Sequence, residues 1–284
     1  MPPRENPTAR QIRLGTELRR LRERAGRTAR EAAGMLGTDQ GKISHIESGR
    51  IGVSEERIRR LATFYECADG PLLDALCAIA REHRGQFWWD EYRGILAPLW
   101  MDTCELEHHA VSMQIFHTVS VPGLLQTEGY ARAIFGGGLV DLPEEEIELR
   151  TQHRMRRKTV LEGDHPPPYR VYLHEAALRM RIGGRRVARR QLEQLMIDSE
   201  RPNITLRVVP FTNEDYFEAI QPVLYAFGVV PQLDTVQVDV PTGGFFLDAE
   251  GVLERYRVFF GRCEKFSLGP EESRQLIHHI AREL

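Results

Sequence analysis

The sequence predicts an all-α N-terminal domain of about five helices, followed by an α/β (α+β) C-terminal domain. Apolar residues recur with a helical period over the first 80 residues, whereas after residue 100 β-branched and aromatic runs alternate with helical patterns. A chain of 284 residues can also bury more than one core, so two domains are the natural count. We expect domains at 1–80 and 106–284, joined by a helical connector at 81–105.

The N-terminal domain is expected to begin with an amphipathic helix. Residues 1–8 are rich in proline and predict a loose arm. Leu14, Leu18 and Leu21 then recur at i, i+4 and i+7, which indicates one buried side. We place four basic side chains on the solvent side of this helix: Arg13, Arg19, Arg20 and Arg24.

Two short helices joined by a tight turn follow. Thr28 and Glu31 have the spacing of a capping box, which predicts that a helix begins after Thr28. Gly37 ends that helix, because glycine adopts a left-handed backbone conformation at low cost. Thr38 or Asp39 then caps the second helix. This is the arrangement of a helix-turn-helix unit.

The second of these helices has a thin apolar side. Ile43 and Ile46 fall on one side of it and are expected to face inward. The other side carries short polar or basic groups, which suit the major groove of DNA, where glutamine can pair with adenine and lysine can reach guanine or phosphate. We predict that four of them read base edges: Gln40, Lys42, Ser44 and His45.

Basic charge is concentrated in the same part of the chain. Residues 1–60 carry fourteen Lys and Arg against eight Asp and Glu, whereas the rest of the chain carries 24 against 33. A polyanion-binding surface is therefore expected near the N-terminus. Arg27, Thr28 and Arg50 flank the helix ends of the helix-turn-helix and are the phosphate candidates.

The motif resembles the Xre family of phage-repressor-type regulators over roughly residues 10–66. The similarity lies in Gly37, the Ile-x-x-Ile-Glu-x-Gly run at 43–49, and a helix at 54–65. In that family an arginine on the first helix commonly pairs with the glutamate of this run. The resemblance therefore implies an ion pair between Arg22 and Glu47 that supports the motif.

Two further helices are expected to complete the domain, after Ser54 and at Pro71. The stretch that follows is helical by pattern up to Pro98. Two interpretations of its aromatic residues stay open: a surface between domains or subunits, or a core that begins the second domain. These residues are Phe87, Trp88, Trp89, Tyr92 and Trp100.

The C-terminal domain is predicted to contain four to six strands. Strands are expected at 111–121, 169–174, 204–209, 222–230 and 235–240, and helices at 127–135, 143–161, 185–200, 251–263 and 270–284. The chain shows no internal repeat and no low-complexity segment.

A second resemblance covers roughly residues 86–284. VPGLLQTEGYARA (121–133), the arginine pair Arg154 and Arg157, LHEAALR (173–179) and LRVVPF (206–211) are similar to the uncharacterised domain found behind Xre-type helix-turn-helix units in high-GC bacteria. WhiJ-like developmental and antitoxin-like regulators belong there. The resemblance implies a transcription regulator, often encoded beside a short acidic partner protein.

Four polar residues of this domain are candidates for a pocket or a partner contact. His174 and Glu175 lie where a strand meets a helix, and they can line a pocket together with Arg154 and Arg157. The alternative, which we prefer, is a first-turn glutamate favoured by the helix dipole beside an exposed histidine.

Catalysis, metals and cofactors find no support in the sequence. The adjacent pairs His108–His109 and His278–His279 point to different sides of a helix and cannot share one ion, and no H-E-x-x-H, G-x-G-x-x-G or Walker motif occurs. No C-x-x-C pair, signal peptide or long apolar run is present, so a cytoplasmic protein without a membrane partner is expected.

Together these patterns predict a homodimeric regulator that binds an inverted-repeat operator in double-stranded DNA. Its C-terminal domain would dimerise, bind a small acidic partner protein, or do both. Two alternatives stay open. One is an antitoxin-like protein that mainly sequesters a small partner, and the other is a repressor that senses a small molecule.

Overall fold

The computed structural model describes residues 3–82, 85, 87–214, 221–240 and 243–284, and the chain divides into two compact units. The N-terminal unit extends to Leu106 and includes Val229–Leu233, and the C-terminal unit contains 107–228 and 234–284. The first is helical and the second combines a six-stranded sheet with helices. The predicted fold class is therefore confirmed.

Five helices form the N-terminal unit up to residue 81. They are α1 (Ala9–Arg24), α2 (Ala29–Leu36), α3 (Gln40–Glu47), α4 (Glu55–Phe64) and α5 (Gly70–Arg81). Each begins at a side chain that accepts a hydrogen bond from the first turn: Thr8, Thr28, Asp39, Ser54 and Asp69. Fully buried Leu18, Ile43, Ile58, Leu61 and Leu76 form much of their shared core.

Two expectations about the start of the chain are wrong. The described part of the arm is held in place, because the Arg4 amide donates to the Arg50 carbonyl at 2.8 Å and its guanidinium donates to the Gly49 carbonyl at 3.1 Å. Arg13 is buried rather than exposed and forms an ion pair with buried Glu17 at 3.2 Å. A charged residue can be buried when its partner is buried beside it.

The predicted helix up to Pro98 is also wrong over its described residues, whereas residues 83, 84 and 86 of that stretch lie outside them. Instead of an α-helix, the described residues between α5 and α6 (Pro98–His109) form a short 3-10 helix at Trp88–Tyr92. Trp89 is buried, and Phe87 stacks on it with the ring centroids 4.5 Å apart. Trp89 is therefore a core residue, but it belongs to the N-terminal unit, so the expected core that begins the second domain is wrong about the domain.

A buried carboxyl group lies near the start of α1. Glu105 on α6 is 8% exposed, and this burial raises its pKa to about 7 from an ordinary 4.5. A hydrogen bond from Thr8 offsets part of the increase, nearby Asp102 and Glu82 add to it, and Arg10 opposes it. The folded state therefore binds a proton that the unfolded chain releases at lower pH.

Substituting Glu105 by glutamine should remove a pH dependence of folding. A raised pKa in the folded state stabilises the fold below pH 4.5, and this contribution is lost as the pH rises through 7. Relative to the wild type, Glu105→Gln should therefore gain stability on the order of 3 kcal/mol between pH 4.5 and 8. Denaturant unfolding at both pH values measures it. If the free energy of unfolding changes with pH in the same way for both proteins, the raised pKa of Glu105 is contradicted.

The sheet of the C-terminal unit has the order β3-β2-β1-β4-β5-β6. The strands are β1 (Ser112–His117), β2 (Tyr169–His174), β3 (Ile204–Val209), β4 (Val223–Phe227), β5 (Thr235–Val240) and β6 (Gly243–Leu247). β1, β2 and β3 are parallel, whereas β4, β5 and β6 join in antiparallel pairs. The sequence predicted the first five strands and missed β6.

Among the described residues, six α-helices of this unit follow α6. They are α7 (Glu128–Gly136), α8 (Glu144–Arg157), α9 (Glu175–Arg179), α10 (Arg185–Asp198), α11 (Glu250–Phe266) and α12 (Pro270–Glu283). On one face of the sheet, buried Leu253, Phe260 and Cys263 of α11 pack with apolar strand residues that include Tyr172 and Tyr225. We call this cluster the α11 layer.

Candidate nucleic-acid interface

The helix-turn-helix has the local structure that its sequence predicts. The Thr28 hydroxyl accepts from the Glu31 amide, and the Glu31 carboxylate accepts from the Thr28 amide at 2.7 Å, which completes the capping box. Gly37 has a φ of +64°, in the left-handed region. Of the two predicted caps for α3, Asp39 forms the bond, accepting from the Lys42 amide at 2.8 Å. These short-range bonds fix where α2 ends and where α3 begins.

The two sides of α3 differ as expected. Ile43 and Ile46 are buried in the core of the N-terminal unit. The opposite side faces solvent, with exposed Gln40 and Ser44 and half-buried Lys42 and His45. All four predicted base-reading residues are therefore accessible on one short helix. Gly41 is also exposed and brings the backbone itself close to this surface.

Arg22 connects three segments of the motif. Its guanidinium donates to both carboxylate oxygens of Glu47, at 2.6 and 3.0 Å, and to the Arg27 carbonyl at 2.9 Å. Both side chains of the pair are about nine-tenths buried. The hydrogen bond to Glu47 raises the pKa of Arg22, so the guanidinium keeps its positive charge. The contact implied by the first resemblance is present and ties α1 to the end of α3 and to the loop before α2.

Two glycines allow α1 to approach the end of α3 closely. A Cβ atom on Gly15 would lie 2.5 Å from the carbonyl oxygens of both Ile46 and Glu47. A Cβ atom on Gly49 would lie 2.8 Å from the backbone of Gln11, and Gly49 has a φ of +72°. Only glycine fits such approaches of backbone to backbone without displacement. Gly15 was not identified from the sequence, because its contact joins residues about 30 positions apart.

The three phosphate candidates differ in accessibility. Arg27 forms an ion pair with Glu66 at 3.2 Å and lies over the Phe64 ring at 5.0 Å. The Thr28 hydroxyl is engaged with Glu31, whose pKa is lowered by its bond with the Thr28 backbone, so a negative charge occupies the start of α2. Arg50 is exposed just beyond α3. Of the three, Arg50 is the most available to a phosphate group.

Two family models match this chain. One, described as a helix-turn-helix domain, covers residues 13–76, and the other, described as a domain of unknown function (DUF5753), covers residues 100–279. The chain belongs to the DUF5753 family. Neither a curated protein nor a solved structure matches it. The helix-turn-helix match supports an N-terminal DNA-binding domain.

Within the DUF5753 domain, each of the four candidate pocket residues has a local hydrogen-bond or ion-pair partner. Arg157 forms a two-point ion pair with Glu107, at 2.5 and 3.0 Å, and Arg154 donates to the Gln126 side chain at 2.7 Å. His174 caps α9 by accepting from the Ala176 amide. These contacts hold α8 and the β2–α9 junction in place. His174 is half-buried as the cap of α9, whereas the alternative expected it to be exposed.

Glu175 also serves the local structure. Its carboxylate is buried, pairs with Arg179 at 2.7 Å and accepts from the Phe211 amide at 2.8 Å. It therefore bridges α9 and the end of β3. A role for these residues toward a ligand or partner stays a prediction.

An open groove in the DUF5753 domain lies between α7 and α10. It has a volume of about 580 Å³ and mixes polar and apolar side chains. Its lining residues are Thr127, Glu128, Gly129, Val187, Arg190, Glu193, Gln194 and Ile197. Ile197 is 60% exposed, so the groove offers apolar surface to solvent. The sequence did not single out this surface.

In the described part of the chain, no group of three or more His, Cys, Asp or Glu side chains is placed to hold a metal ion. None of the helices described is both long and apolar enough to cross a bilayer.

Proposed function

We propose that this chain is a sequence-specific DNA-binding transcription regulator, of the Xre-like type with a WhiJ-like C-terminal domain, in which α3 enters the major groove. The single observation that carries the proposal is the two-sided character of α3. Its isoleucines are buried, whereas Gln40, Lys42, Ser44 and His45 face solvent. In DNA-binding proteins of this kind the N-terminal residues of the second helix contact base edges.

The charges around α3 support the same function. The Glu47 carboxylate at the end of the helix is neutralised by Arg22, so it does not repel the phosphate backbone. Exposed Arg50 adds a positive charge at that end. We propose that Arg50, and to a smaller extent Arg27 and Thr28, contact phosphates, and that two copies of the chain bind an inverted repeat.

Substituting Gln40 by alanine should relax base preference. A glutamine that pairs with adenine contributes about 1–3 kcal/mol of discrimination, so Gln40→Ala should lose that much affinity for the operator and little for random DNA. Arg50→Ala is the matched control, because loss of a phosphate contact weakens binding to every sequence and lowers the salt slope by about 1. Binding titrations at several salt concentrations distinguish the two. Equal losses for Gln40→Ala on operator and random duplexes would contradict its role.

A second candidate function is favoured by the groove between α7 and α10. We propose that this surface binds a small partner protein. If the partner binds the free chain and the DNA-bound chain with different affinities, its binding changes the affinity of the chain for DNA. An antitoxin-like protein would use the same surface mainly to sequester that partner. Copurification with a short protein encoded nearby supports partner binding, whereas a small molecule retained by the purified chain supports a sensor.

A further inference from the structure

β6 ends the sheet without the features that usually protect an edge strand. Its sequence, Gly-Gly-Phe-Phe-Leu, contains no charged residue and no proline. In the parts of the chain that the structure describes, β6 has one strand neighbour, β5. Edge strands in soluble proteins are commonly blunted by charges, by proline or by a covering segment, since their free backbone groups can pair with another chain.

The opposite edge of the sheet is covered by the chain itself. On β3, the Val208 carbonyl accepts from the Leu268 amide at 2.8 Å, and the Val208 amide donates to the Ser273 hydroxyl at 2.9 Å. Leu268 and the first turn of α12 therefore protect that edge at Val208. Within the described residues no comparable backbone contact covers the outer side of β6.

The hydrogen-bond pattern shows which β6 groups face outward. The Asp239 amide donates to the Pro222 carbonyl on the β4 side. The backbone amide and carbonyl groups of its neighbours on β5, Val238 and Val240, therefore point toward β6. Their partners are Phe245 and Gly243. Because direction alternates along an antiparallel strand, the amide and carbonyl groups of Gly244 and Phe246 point away from the sheet.

We propose that β6 pairs antiparallel with β6 of a second copy of this chain, about a two-fold axis at Phe245, the central residue of the strand. Gly244 then lies opposite the partner's Phe246, and the reverse pair is equivalent by symmetry. Each of these two pairs exchanges two backbone hydrogen bonds. Phe245 lies opposite the partner's Phe245 in the closer, non-hydrogen-bonded position.

The side chains of β6 complement themselves in this register. Phe245 is 57% exposed and lies beside buried Val238 of the α11 layer, so pairing would cover its ring and join two apolar layers. Gly244 has no side chain, which leaves room for the ring of the partner's Phe246. The strand brings no like charges together across the axis. These features favour a second copy as the occupant of this edge.

The inference rests on the proposed function in one respect. An inverted-repeat operator requires two reading helices related by a two-fold axis, and an antiparallel pairing of identical strands supplies such an axis. The pairing geometry itself comes from the C-terminal unit alone, so it can be tested without DNA.

A cysteine at the axis provides the sharpest test. In a non-hydrogen-bonded antiparallel pair the Cα atoms lie about 4.5 Å apart, within the range of a disulfide. Phe245→Cys should therefore form a disulfide-linked dimer under mild oxidation, reversed by reductant and measured by non-reducing electrophoresis. Phe246→Cys faces the partner's Gly244 and should not crosslink. Val258→Cys, at an exposed site on α11, and the wild type with its own cysteines are the controls.

A proline substitution in β6 tests the backbone hydrogen bonds between the two copies. Gly244→Pro removes an outward amide without removing a bond to β5, so it should weaken the dimer about tenfold or more in sedimentation equilibrium. Gly261→Ala, which has open space around its Cβ position, should leave dimerisation unchanged. Absence of crosslinking in Phe245→Cys, or equal crosslinking in Val258→Cys, would overturn the inference, as would a dimer unaffected by Gly244→Pro.

Failure of this inference can be distinguished from failure of the proposed function. If the wild type prefers an inverted repeat but Phe245→Cys does not crosslink, the interface is wrong and the function stands. If Phe245→Cys crosslinks but the protein prefers no duplex, the interface stands and the function is wrong. If both stand, Gly244→Pro should retain its affinity for a single half-site and lose the additional affinity for the complete repeat.

Discussion

Gly15→Ala is expected to lower the free energy of unfolding of the N-terminal unit by about 3 kcal/mol. The added Cβ would lie 2.5 Å from two backbone oxygens at the end of α3, and backbone atoms cannot rotate away as a side chain can. α1 and α3 must therefore separate. Since α3 carries the base-reading residues, operator affinity should fall together with stability.

The matched control is Gly34→Ala. Gly34 is also a helical glycine, but it is exposed on α2, and a Cβ there meets nothing within 4 Å. Alanine should stabilise that helix by about 1 kcal/mol or less. All three tryptophans, Trp88, Trp89 and Trp100, lie in the N-terminal unit, so their fluorescence reports its unfolding in denaturant. Similar stabilities for the two variants would show that the close approach of α1 to α3 is wrong.

Breaking the ion pair between Arg22 and Glu47 should have an effect of similar size. Both side chains are about nine-tenths buried, and removal of either leaves a buried charge without its partner. Arg22→Ala or Glu47→Ala is therefore expected to cost about 3–5 kcal/mol of stability. The same fluorescence measurement in denaturant determines the loss.

Two further variants separate this pair from ordinary surface charges. Arg19 pairs with Glu23 at 2.7 Å, but these side chains are 61% and 51% exposed, so Arg19→Ala should unfold at the same denaturant concentration as the wild type. Replacing Arg22 and Glu47 together by Met and Leu removes both charges and should cost less than either single alanine substitution. Additive losses in the double variant would contradict a coupled buried pair.

The sequence predicted best those features that depend on neighbouring residues. The capping box of Thr28 and Glu31, the left-handed Gly37 and the inward Ile43 and Ile46 each involve contacts or spacings of a few residues, and all are present. The pair of Arg22 and Glu47 joins distant positions, and it was expected from the resemblance to a family rather than from local chemistry.

Features that depend on distant contacts were missed or wrongly predicted. The buried Arg13 guanidinium donates to the distant Gln232 carbonyl, and Arg4 donates to the Gly49 carbonyl, so neither position could be read from neighbouring residues. The helix predicted before Pro98 fails because its aromatic rings pack on one another and Gly94 takes a φ of +79°. β6 was missed because two of its five residues are glycine, which weakens the alternating pattern of a strand.

Selection of duplexes from a random pool by the purified full-length chain at moderate salt tests whether the exposed side of α3 reads DNA. We expect the selected duplexes to converge on an inverted repeat with half-sites about 34 Å apart. The same selection with Gln40→Ala should lose the preference at one base pair in each half-site. A pool that stays random with the wild-type chain, while its affinity for bulk DNA is measurable, would contradict the claim.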